Sequence, residues 1–101
     1  MNELKVGDRV WIKCEVKPGP FSNERLTRIQ TVQGDDWIGF VDERNLKDAV
    51  QTGATRVLGR ILTLEDNEIV VLVQGHAIDR RQARTSRSAA EKVAPRVPLT
   101  A

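Results

Sequence analysis

Residues 55–75, TRVLGRILTLEDNEIVVLVQG, constrain the fold more than any other stretch of this chain. Asp66 and Asn67 are turn formers set between two runs of Val, Ile and Leu, which is the pattern of a β-hairpin. Both runs are apolar on both faces. Leu58, Leu62 and Leu64 share one side of the first strand and Val57 and Ile61 the other; in the return strand Ile69, Val71 and Val73 oppose Val70 and Leu72. Strands of this kind are covered on both sides, so the hairpin calls for a cover, from the C-terminal segment or from a second chain. With 101 residues the chain makes one domain, whose thin core buries about 60–65% of the surface the unfolded chain exposes.

The rest of the chain supplies further short strands. GDRVWIKCEV (7–16) alternates, with Val10, Ile12, Cys14 and Val16 on one face and Arg9, Trp11, Lys13 and Glu15 on the other. KPGPFSNE (17–24) reads as a loop because two prolines cannot donate to a ladder. RLTRIQTV (25–32) reads as a strand with a bulge near Arg28, which brings Leu26, Ile29 and Val32 to one face. Gly34 supplies a positive-φ turn into DWIGFV, in which Ile38 and Phe40 are expected inside and Trp37 outside. DERNLKDA (42–49) suits a single helical or 3₁₀ turn, with Leu46 inside. No stretch of useful length repeats. These features predict an all-β fold, a five-stranded small barrel over residues 1–78. Residues 79–101 then form a basic, partly ordered C-terminal tail, with a short helix over 89–94 from the capping-box spacing of Ser88 and Glu91.

GFVDERNL (39–46) resembles the closing segment of Src-homology-3-like barrels, in which a Gly-aromatic-Val strand end runs into a one-turn 3₁₀ helix finished by an apolar residue. GDRVWIKCEVKPGPF is similar to the KOW-type barrels of translation and transcription factors, although SNERL stands where that pattern has a glycine turn. The resemblance implies a small-barrel fold. It does not extend to binding of proline-rich ligands, because the chain has no Tyr.

Charge and chemistry narrow the function. Residues 1–78 hold 10 Lys and Arg against 12 Asp and Glu, and residues 79–101 hold 6 against 2, so the net charge of +2 comes from the tail. One Cys and one His fall short of a structural zinc site. Cys14 is expected to face the core, and the carboxylates Asp35, Asp36, Asp42, Glu43 and Asp48 to sit in solvated turns. The glycines occur singly, without a phosphate-cradling run. The expectation is therefore a non-enzymatic binding module with no cofactor and no metal. No apolar run reaches the ~18–20 residues of a membrane span. The charged N-terminus lacks a secretory apolar segment, which reads as cytoplasmic. Candidate ligand-binding residues are Trp11, Phe21 and Trp37, as an aromatic strip for a protein partner or for self-association; the alternative for each Trp is a plug at one end of the barrel. A second function is binding of RNA or single-stranded DNA. There Trp11, Phe21 and Trp37 stack on bases and Arg80, Arg81, Arg84 and Arg87 hold phosphates, three of the arginines at helical spacing.

Overall fold

A computed structural model describes residues 3–32, 34–77 and 81–93. It is all-β. The strands are β1 (Arg9–Pro18), β2 (Glu24–Ile29), β3 (Trp37–Asp42), β4 (Gly53–Leu64), β5 (Glu68–Val73), β6 (His76–Ala77), β7 (Gln82–Ser86) and β8 (Ala90–Lys92), with 3₁₀ turns at Glu43–Asn45 and Arg87–Ala89. They form one antiparallel sheet in the order β6-β3-β2-β1-β4-β5-β7, with β8 on the edge of β1. Pairing of β6 with β3, and the Val32 N–H donating to the Arg84 carbonyl at 3.1 Å, draw the two ends together into a nearly closed barrel. Val10, Ile12 and Val16 from β1, Val57 and Ile61 from β4, and Ile69 and Val71 from β5 fill it.

Among the described residues eight strands stand in place of the five expected. One of the three additional strands, the two-residue β6, lies at the end of the segment read as the barrel, and the other two lie in the segment read as a tail. Gln82–Ser86 adds to β5, and Ala90–Lys92 pairs with β1 from Ile12 back to Val10. Within the span 89–94 the chain leaves a 3₁₀ turn and enters a strand, so no helix forms there; residue 94 lies outside the described residues. The cap is Ser86, whose Oγ accepts from the Ser88 N–H, rather than Ser88 itself. These residues escape a reading by large apolar side chains because their inward positions are the small Ala83 and Thr85, set against the bulky inner face of β5. β7 therefore widens the sheet instead of lying over the hairpin, and Leu58, Leu62, Val70 and Leu72 remain half-buried on the outer face.

Two further corrections concern β2 and β3. Their register runs unbroken from Glu24↔Asp42 to Ile29↔Trp37, so there is no bulge at Arg28; the irregularity is in β4, between Ile61 and Thr63. Inward on β2 are Arg25, Thr27 and Ile29, and Val32 is 43% exposed beyond the strand's end. On β3 the expected faces are exchanged: Trp37, Gly39 and Val41 point inward, and Ile38 is 41% exposed. The 3₁₀ turn at Glu43–Asn45 and the buried Leu46 stand where the sequence puts them.

The barrel is built twice over. A shift of 44 residues carries Glu24↔Asp42, Arg25↔Val41 and Thr27↔Gly39 onto Glu68↔Ser86, Ile69↔Thr85 and Val71↔Ala83. It carries the Glu43 N–H to Asn23 carbonyl bond (2.8 Å) onto the Arg87 N–H to Asn67 carbonyl bond (2.9 Å). The caps also coincide, Asp42 at φ −67°, ψ 140° and Ser86 at φ −66°, ψ 138°. After each 3₁₀ turn the chain pairs with the first strand of the other half, Leu46 with Val57 and Ala90 with Ile12, while Ile12 and Val57 face each other on the central ladder. Two units, β1-β2-β3 and β4-β5-β7, each ending in a 3₁₀ turn, thus embrace about a pseudo-two-fold axis between β1 and β4, the two-residue β6 lying between β5 and β7 in the chain. Only the first residue, Glu, is common to Glu24–Ile29 and Glu68–Val73, so side-chain identity hides the repeat.

Candidate functional site

The three candidate aromatics do not converge. Trp37 is 1% exposed, its ring laid over Gly39, which removes it from any contact surface. Phe21 is 67% exposed in the β1–β2 connection. Trp11 is half-buried on the outer face near the start of β1, and the seven residues from there to Pro18 put roughly 23 Å of strand between it and Phe21's end. The arginine stripe does not form either. Arg84 lies in a strand and pairs with Glu65 (3.1 Å) and Glu68 (3.8 Å); Arg87 lies in a 3₁₀ turn and donates to the Glu65 carbonyl; Arg81 is exposed just before β7. Arg80 is outside the described residues.

What the fold does assemble is a strip on the outer face of the central ladder. Register places Arg9 opposite Arg60, Trp11 opposite Leu58 and Lys13 opposite Arg56. Two cation pairs therefore flank an aromatic–aliphatic pair. Like charges directly opposite one another in an antiparallel ladder are destabilising, by about 0.2–1 kcal/mol a pair. Among the described residues none of these four cations has an ion pair within 4.0 Å, whereas Arg28, Lys47 and Lys92 close by are matched to Glu15, Glu91 and Asp8. Glu91, opposite Trp11 on β8, is bonded by Lys47; that bond and the field of Arg56 hold its carboxyl below the usual carboxylate range, so it stays ionised and offsets part of the charge of Arg56 without forming an ion pair with it. Sequence reading put Arg9, Trp11 and Lys13 on one face but missed Arg56 and Arg60, because cross-strand register is not local information.

Two open hollows meet at Lys13 and Arg56. One, of about 700 Å³, is walled by Arg28, Gln30, Asp48 and Thr55; the other, of about 900 Å³, by Asn67, Ser86, Arg87 and Lys92. Cys14 lies at the base of the first with its side chain turned to the core, and burial pushes its thiol from 9.0 up to about 12. The folded protein therefore holds that proton where the unfolded chain has released it, and stability declines as pH rises from 9 towards 12. The slope attributable to this group approaches about 1.4 kcal/mol per pH unit. Cys14→Ala is expected to remove that component: denaturant unfolding across this range should give a shallower decline in the variant than in the parent, and equal declines would refute the assignment.

No family model, no curated protein and no solved structure matches the chain. Among the described residues no helix is long and apolar enough to cross a membrane. The chemistry that the strip can perform is retention of anions on a fixed, partly apolar surface.

Proposed function

We propose that the chain is a non-catalytic binding module, a small Src-homology-3-like barrel whose outer β1–β4 face holds a polyanionic partner. The likeness to that barrel family is supported by the second half, in which a strand, a 3₁₀ turn and a short last strand follow in the family's order. The binding reading rests on one observation, the facing of Arg9 with Arg60 and of Lys13 with Arg56. A fold gains nothing from unmatched like-charge pairs on its two longest strands, and an anion supplies the missing charge. The expected result is saturable binding of inorganic polyphosphate or heparin that weakens steeply with added salt. Replacing Lys13 and Arg56 together by Ala should reduce affinity at low salt at least tenfold and flatten the salt dependence. Absence of binding at low salt, or indifference to the double substitution, would sink this reading.

A protein partner is the second reading, favoured by the exposure of Phe21 at one end of the barrel and of Ile38 on the outer face of β3. It uses a surface other than the strip, so Phe21→Ser should leave polyanion binding unchanged.

A further inference from the structure

We infer that the polyanion is a single-stranded nucleic acid, laid along the β1–β4 face with one base stacked on Trp11; the inference rests on the polyanion reading of that face. Cations alone would serve any polyanion. Trp11 is the additional element, an indole on a charged face between two cation pairs. Polyphosphate has no apolar group to place on it and a sulfated sugar only a puckered C–H face, whereas every nucleobase has a planar π-face.

Spacing agrees with this. Each cation pair lies two residues from Trp11 along the strand, roughly 7 Å, and the two pairs are roughly 13 Å apart. A base on the indole thus keeps its flanking phosphates within reach of long Arg and Lys side chains. The hollows meeting at Lys13 and Arg56 give neighbouring bases room against amide and hydroxyl groups of Gln30, Asn67, Ser86 and Ser88. Of the carboxylates lining the hollows, Glu15 and Asp36 are engaged by Arg28 and Glu91 by Lys47; Asp48 and Asp66 have no ion pair within 4.0 Å among the described residues, which keeps the phosphates at the cation pairs. A duplex is a poorer fit. Its bases are already stacked on one another, so none offers a free face to Trp11. An acidic protein segment would satisfy the cations and leave Trp11 without a matching face.

The test compares a short mixed-sequence single strand, as DNA and as RNA, with its duplex, inorganic polyphosphate and polyglutamate, using the full chain at low and moderate salt. Single strands should bind at least tenfold more tightly than the duplex or polyglutamate and quench the fluorescence of Trp11, while buried Trp37 stays unquenched. Trp11→Leu should lower single-strand affinity about tenfold, since stacking of one base contributes about that factor or more, and leave polyphosphate binding unchanged. Should Trp11→Leu melt early, Trp11→Phe keeps a ring and should retain part of the preference. If single strands, duplex and polyphosphate bind alike and Trp11→Leu changes none of them, the nucleic-acid inference falls while the polyanion reading stands. Tighter binding of polyglutamate transfers the site to an acidic protein partner. Failure of every anion to bind overturns both.

Discussion

Trp37→Ala is expected to cost about 3–5 kcal/mol of stability, enough to leave a domain of this size marginal or unfolded. Trp37 is the largest of the fully buried side chains, 1% exposed at the start of β3, and faces Ile29 across the β2–β3 ladder. Gly39 makes its position possible. A Cβ at Gly39 would come within 2.6 Å of the ring's Cη2 and 2.9 Å of Cζ2, and within 2.9 Å of the His76 carbonyl oxygen on β6. Neither neighbour can move freely, one being a packed ring and the other backbone. Gly39→Ala is accordingly expected to cost about 1–3 kcal/mol through overpacking. The two sites touch, so they should not add. Combining Gly39→Ala with Trp37→Phe removes the clash with the outer ring atoms, and a coupling of about 1 kcal/mol is expected in a double-mutant cycle from urea unfolding. Strict additivity would mean that the ring does not rest on Gly39. Polyanion affinity, measured on variants that stay folded, should be unaffected, since the strip lies on the opposite face of the sheet.

The exchange of faces on β3 shows where sequence reading reaches its limit. In β1 the inward set is apolar and the outward set mostly charged, so alternation alone fixes the faces. In WIGFV both sets are apolar, and Gly39 contributes no side chain to either. What decides is the partner strand, whose register with β3 aligns Thr27 with Gly39 and Ile29 with Trp37. β2 itself misleads for a related reason. Its inward positions include Arg25 and Thr27, and a hydrophobic pattern places neither inside. The hairpin of β4 and β5, the first 3₁₀ turn and the positive φ of Gly34 (+96°) depend on neighbours in sequence, and all three were legible. The strip was half legible: its β1 half follows from alternation, and its β4 half needs the pairing of two strands that 34 residues separate, Pro18 to Gly53. The twofold architecture was the least legible. It is carried by register and by caps, which different side chains can satisfy: an Asp at one 3₁₀ turn and a Ser at the other.

Arg25 is where the two halves differ most, because the equivalent position on β5 is Ile69. Its side chain is 1% exposed, and its guanidinium spends itself on backbone: Nε donates to the Val50 carbonyl at 2.9 Å, and Nη1 to the carbonyls of Ser22 at 2.9 Å and Glu24 at 3.0 Å. Only Nη2 meets a carboxylate, that of Glu43 at 3.1 Å, and the Glu43 side chain is 44% exposed. The residue thereby ties the β1–β2 connection and the segment entering β4 to the barrel, where an apolar side chain would leave three carbonyls without this donor. Arg25→Met, which keeps much of the volume, is expected to cost about 2–3 kcal/mol. Arg25→Lys should cost nearly as much, since an ammonium cannot reproduce the planar fork. Glu43→Gln should cost under about 1 kcal/mol, because a half-exposed carboxylate returns to water and its loss leaves the carbonyl bonds in place. Chemical denaturation of the three variants separates the accounts. A large loss on Glu43→Gln with a small one on Arg25→Met would make the ion pair the stabilising element; the reverse order marks Arg25 as a cation buried for its geometry, tying the β1–β2 connection and the Val50 segment to the barrel.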